Sequence, residues 1–218
     1  MKPPKQKRRL LRAYPHLWMQ AYWPVYLVCF FALERWGPAP RYWVHCALDD
    51  AIPFCEWFVL PYCSWFVMLA FALFYLWTRD TQSYDRLCAL MFGGMSLCLL
   101  IYLVLPNGLA LRPAGPLPQN PAARLLGLLW AADTPTNVCP SIHCQSTGCM
   151  VLALSRSRPL RGRHGCQAAV WLWGALICLS TLFTKQHSAV DVLLGLAMAA
   201  PGLWVFGRGP ANGIQGGI

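Results

Sequence analysis

The sequence predicts an all-α fold, an integral membrane bundle of six transmembrane helices, and three observations carry that prediction. Of 218 residues, 57% are hydrophobic and only 12% charged, whereas soluble domains carry about 25% charged residues. Apolar runs recur near the length of about 20 residues that a bilayer core of about 30 Å demands of a helix. The basic residues fall in short runs between these apolar stretches rather than within them.

Taken in order, spans are expected near 17–34, 54–77, 87–105, 141–155, 166–183 and 188–206. The third is the cleanest, with no charge from Leu87 to Leu105. The fourth is short and carries His143, Gln145, Ser146 and Thr147. Polar groups in a crossing segment are costly and face the bundle interior. The charge distribution nevertheless requires this crossing. With an inside N-terminus, segments 1–16, 78–86, 156–165 and 207–218 hold 13 Lys and Arg, and the outer segments hold 5. That is the positive-inside pattern. Dropping one crossing would move "SRSRPLRGRHG" (155–165) outside and spoil it. The expected organisation is a basic cytosolic N-terminus (1–16), one six-span unit (17–206) and a disordered tail (207–218). The protein is expected in the cell membrane, with both termini cytosolic and no signal peptide.

Eighteen Lys and Arg against eight Asp and Glu give a net charge of +10. The placement of those charges assigns them to the membrane faces, and no nucleic-acid partner is expected. Proline and glycine cluster in "PNGLALRPAGPLPQNP" (106–121), which reads as the main outer loop. Residues 122–132 follow as a short interfacial helix with Leu125, Leu126, Leu129 and Trp130 towards lipid.

Eleven cysteines are an odd number for a disulfide framework. Most lie in apolar runs, where a free thiol behaves as a small hydrophobe. Cys139, His143, Cys144 and Cys149 have a spacing that invites a zinc reading. Position 139 precedes the helix start, however, and 144 and 149 fall on different helix faces. The cysteines read as packing, and no metal is expected.

The unusual polar residues gather at one end. Arg112 and Pro113 follow the third span; Pro140, Ser141 and His143 open the fourth; Lys185, His187 and Asp191 lie between the fifth and sixth. Two helix N-termini meet there, and such termini attract anions. Ser141 is placed as an N-cap. Arg112 offers a planar fork and Lys185 a point charge to a phosphate. His187 and Asp191, four apart, share a helix face, so the carboxylate fixes the imidazole tautomer and leaves the other nitrogen outward. His143 supplies a second imidazole. Each residue alone has an ordinary structural reading; their joint placement points to phosphoryl transfer, one histidine attacking phosphorus and the other protonating the leaving oxygen.

"CPSIHC" (139–144) and "STLFTKQHSAVDVLLG" (180–195), with "LRP" (111–113) upstream, resemble the type-2 phosphatidic acid phosphatase superfamily of membrane lipid phosphate phosphatases. The resemblance implies a haloperoxidase-like phosphatase core and no cofactor. It implies His187 as the nucleophile, Asp191 as its orienting carboxylate, His143 as the general acid, and Arg112 and Ser141 as phosphate ligands. Three departures stand out: Leu105, Ile142 and Thr181 occupy positions where the family carries lysine, glycine and arginine. Lys185 is the replacement cation that the sequence offers. The outer stretch "DDAIPFCEWFVLPY" (49–62) also looks like bacterial members, without a catalytic signature. The expected function is hydrolysis of a lipid phosphomonoester or pyrophosphate through a phosphohistidine. The rivals are a phospho-head-group transferase resembling inositol-phosphorylceramide and sphingomyelin synthases, and a non-catalytic protein that binds anionic lipid.

Overall fold

The computed structural model describes residues 16–207. The basic N-terminus expected over 1–16, apart from its last residue, and the tail expected over 207–218, apart from its first, lie outside the described residues. The helices are α1 (Tyr22–Trp36), α2 (Ala47–Ala51), α3 (Val59–Arg79), α4 (Thr81–Val104), α5 (Pro121–Ala132), α6 (Ile142–Ser155), α7 (His164–Phe183), α8 (Ala189–Ala199) and α9 (Pro201–Gly207). Two short strands, β1 (Tyr42–Trp43) and β2 (Asn107–Gly108), pair in parallel with Tyr42 opposite Asn107.

The protein is therefore an all-α bundle in which four helices are long and apolar enough to cross a membrane: Glu56–Arg79, Thr81–Val104, His164–Phe183 and Ala189–Gly207. They coincide with the second, third, fifth and sixth expected spans. Their outward faces carry Phe66, Val67, Leu100, Leu172 and Leu193, all exposed, as a lipid-facing surface requires. The last of them breaks between Ala199 and Pro201, because proline lacks the N–H that would continue the ladder.

The other two expected spans are shorter, α1 at 15 residues and α6 at 14. Helix α6 forms the centre, packed by α3, α4, α7, α8 and α9. All but two of its residues are buried, which explains how a polar helix is tolerated. Ser146 Oγ donates to the Ile142 carbonyl at 2.7 Å and accepts from Trp65 Nε1 of α3 at 2.9 Å. The Gln145 amide donates to the Leu90 carbonyl of α4 at 3.3 Å. Glycines let the neighbours close in. A Cβ on Gly174 of α7 would meet Val151 at 2.3 Å, and one on Gly195 of α8 would meet the Ser141 carbonyl at 2.5 Å. Small residues at such contacts are how membrane helices pack closely without a hydrophobic drive between them.

The bundle has two distinct ends. At one, Asp80 caps α4 and also accepts from the Arg158 backbone at 3.0 Å, while Arg156 and Arg86 donate to the Leu203 and Val205 carbonyls. Segments 78–86 and 156–165 thus share an end, as their charges lead one to expect. At the other end lie β1, β2, α2, α5 and the connections into α6 and α8. Helix α5 begins one residue earlier than expected, with Pro121 in its first turn and Asn120 as cap. Its orientation corrects the sequence reading: Leu126 is fully buried against Val59, and Leu129 and Trp130 pack on the same cluster. Leu125 and Leu128 form the exposed face. The protein offered this amphipathic helix a small core of its own, so its apolar stripe turned inward.

Candidate active site

The second end brings the sequence-predicted residues together from four connections. The turn after α7 is tight. The N–H groups of Gln186 and His187 both donate to the Thr181 carbonyl, at 2.9 and 3.1 Å, and Lys185 adopts a left-handed φ of 55°. Ser188 then caps α8, and Asp191 closes the capping box by accepting from the Ser188 N–H at 2.9 Å. The same Asp191 Oδ2 faces His187 Nδ1 at 3.3 Å. One carboxylate thus starts the helix and holds the imidazole. Burial works against the charged form of His187, but the hydrogen bond and charge of Asp191 outweigh it and raise the imidazole above its ordinary value.

His143, in the first turn of α6, has its ring centroid 5.9 Å from that of His187. It is held between Tyr62 and Trp65 of α3, with centroid distances of 4.7 and 4.8 Å. Ser141 is fully buried and serves as the N-cap, its hydroxyl accepting from the Cys144 N–H at 3.3 Å. Its own N–H donates to the Asp191 carbonyl at 3.0 Å, which ties the starts of α6 and α8 together. Asn107 fixes the approach to Ser141, its side-chain carbonyl accepting from the Val138 and Cys139 N–H groups at 3.0 and 2.8 Å. Tyr102 donates to the Pro140 carbonyl at 2.5 Å.

Arg112 arrives from the outer loop. Its Nη2 donates to Gln186 Oε1 at 2.6 Å and to the Asp133 carbonyl at 2.8 Å, and its Nη1 to the Trp130 carbonyl at 3.3 Å. Its guanidinium stands 5.3 Å from the centre of the Trp130 ring. Arg112 is thereby docked on the immediate neighbour of His187. Lys185 is placed elsewhere. Its ammonium donates to the Asp49 and Ile52 carbonyls at 2.8 and 2.6 Å, at the C-terminal end of α2, where a cation is favoured. Its partners are thus backbone carbonyls of α2 and of the residue that follows it.

Two acidic residues at this end carried no role in the sequence reading. Asp49 is buried and accepts from Cys46 N–H at 2.8 Å, Ser188 Oγ at 2.6 Å and Ala189 N–H at 2.8 Å. Burial would raise its pKa, but these hydrogen bonds prevail and hold it below the ordinary carboxylate range. It staples the outer loop to the N-terminus of α8. Asp133, following α5, is pushed up to about 6 by burial, with the charge of Glu34 in support and those of His187 and Arg112 opposing. The signal for Asp49 was present in "DD" (49–50), because a carboxylate pair is conspicuous in a chain with only eight acids.

The cysteines of the 137–149 segment diverge. Cys149 Sγ accepts from Gln145 inside the bundle, and Cys144 Sγ lies 4.0 Å from Thr181 Oγ1. Burial and the charge of Asp191 push the Cys139 thiol up to about 12. Among the described residues no three His, Cys, Asp or Glu side chains are arranged to hold a metal ion. Neither a family model nor a curated protein matches the chain.

Proposed function

We propose that the chain is a membrane-embedded lipid phosphate phosphatase with a six-span, haloperoxidase-like core. On this reading α1 and α6 complete the crossings, and the active site faces the extracytoplasmic side. One observation carries it: His187, oriented by Asp191, faces His143 across 5.9 Å between ring centroids, with Arg112 bonded to the adjacent Gln186. Asp191 binds Nδ1, which leaves the Nε2 lone pair of His187 to attack phosphorus. The bond from phosphorus to the lipid oxygen breaks, and His143 passes its proton to that oxygen. Water then attacks the phosphohistidine, giving up a proton to His143, and inorganic phosphate leaves with His187 restored. Each step uses groups of this chain.

Purified protein in detergent should release inorganic phosphate from dihexanoyl phosphatidic acid, and the release should persist in EDTA. Absence of release from that lipid, a phosphatidylglycerol phosphate and a short polyprenyl pyrophosphate would overturn the phosphatase reading. The orientation has its own test. In a cysteine-depleted background, Arg161→Cys should resist an impermeant thiol reagent in intact cells and react after permeabilisation. Labelling in intact cells would reverse the layout.

A further inference from the structure

Three buried donors around Arg112 have no hydrogen-bond partner among the described residues: Arg112 Nε, Gln186 Nε2 and Trp130 Nε1. They belong to side chains in mutual contact. Gln186 Oε1 accepts from Arg112 at 2.6 Å, and Arg112 stands over the Trp130 ring. The assignment of the Gln186 amide follows from chemistry. A guanidinium only donates, so the oxygen must face Arg112 and the NH2 must point away. Gln186 is only 3% exposed. Buried polar groups in proteins are almost always paired, and an orphan calls for a water or an ion. Three orphan donors beside one cation, next to His187, ask for an acceptor with several oxygens and negative charge.

We propose that Arg112, Gln186 and Trp130 form a clamp for the phosphoryl oxygens of a singly charged phosphate group, with the two neutral side chains standing in for the absent cations. This rests on the phosphatase reading and names the ionisation state its site accepts. The charge balance at the clamp supports it. Leu105 and Thr181 stand where the resembled family has cations, and the Lys185 ammonium is engaged by the Asp49 and Ile52 carbonyls. Arg112 remains as the cation in contact with Gln186. The groups that act electrostatically on Asp133 are Arg112, His187 and Glu34, with Tyr26 and Tyr62 also in range. A second negative charge on the ligand would meet Asp133 and Glu34 with one guanidinium to offset both. A phosphate monoester loses its second proton near pH 6, in the range to which Asp133 is pushed. The monoanion therefore avoids two like charges in one partly dry site. Neutral amide and indole donors bind such an oxyanion without needing a counter-charge.

Two non-hydrolysable probes separate charge from shape: α,α-difluorodecylphosphonate, whose fluorines make it a dianion at pH 8, and its monomethyl ester, a monoanion with the same chain. Binding to the full chain in detergent should favour the monomethyl ester by at least about tenfold, since the dianion adds a second negative charge beside Asp133 and Glu34. Trp130→Phe removes one N–H while keeping the ring under Arg112. Gln186→Glu keeps the acceptor for Arg112 and replaces the donor with an anion. Each should weaken the monoester about tenfold or more while leaving the melting temperature within a few degrees. Equal or tighter binding of the dianion, no binding of either probe, or variants that bind like the parent would each overturn the clamp. Phosphate release distinguishes this from the underlying reading. Release with unchanged binding in both variants discards the clamp alone, and tight monoester binding without any release discards the phosphatase alone.

Discussion

His187→Ala should abolish turnover of a lipid phosphate and leave no covalent phosphoenzyme on acid quench with radiolabelled substrate. In the proposed mechanism the imidazole is the attacking group, so removing it removes the intermediate rather than slowing one step. The comparison with His143→Ala gives the prediction its force. His143 is held between Tyr62 and Trp65, facing His187, and in the proposed mechanism it donates the proton the leaving alkoxide needs. Its loss should slow formation of the phosphoenzyme for lipid alkoxides, and a good leaving group such as p-nitrophenolate should restore part of the rate. The same substrate should not rescue His187→Ala. A labelled phosphoenzyme persisting in His187→Ala would remove this histidine as nucleophile and most of the mechanism with it.

Asp191→Asn should be the second most damaging change, with a fold that survives. The Ser188 hydroxyl still accepts from the Val190 N–H and keeps a cap on α8. Asp191 Oδ2 serves both the Ser188 N–H and His187 Nδ1, so an asparagine NH2 placed there gives up the Ser188 N–H, fixes the wrong imidazole tautomer and turns the lone pair inward. The corresponding error in serine proteases costs about 10⁴-fold in kcat, and a loss of that order is expected here. The pH profile should move with it. The attacking form of His187 is neutral, so activity appears as pH rises through the folded-state pKa. Burial lowers that pKa while Asp191 raises it and prevails. With Asp191 neutralised, the residual activity should rise at lower pH than in the parent. A profile that keeps its position would show that Asp191 acts only as the helix cap.

Much of this end of the bundle was legible in the sequence. His187 and Asp191 sit four apart at a helix start, and the orienting role of Asp191 follows from that spacing; its second role, closing the capping box with Ser188, emerged with the structure. Ser141 before an apolar helix reads as a cap, and is one. The four long apolar helices follow from composition and length. What was not legible depended on partners distant in sequence. Lys185 looks like a phosphate ligand beside His187, yet the carbonyls of residues 49 and 52 draw its ammonium away. Trp130 was assigned to lipid because α5 is amphipathic, and nothing local says that Arg112 docks over its ring. Gln186 carried no signal, since its role is set by the guanidinium that fixes the direction of its amide. Asp49 shows the same limit: a carboxylate 139 positions from Ser188 cannot be paired with it by spacing.

The enclosure of α6 bears on how the chain is made. At about 1.5 Å per residue, its 14 residues extend roughly 21 Å, and nearly every face meets protein. Gln145, Ser146 and Thr147 would each be exposed to hydrocarbon were the helix to enter a bilayer alone, at a cost that disfavours insertion from the translocon. Three of the five helices packed on it, α7, α8 and α9, are synthesised after it. His143 therefore gains its place opposite His187 only when the C-terminal helices have closed around α6. A nascent chain ending before residue 189 would hold His143 and His187 without Asp191, the carboxylate that orients the second imidazole, so this cluster exists only in the completed assembly.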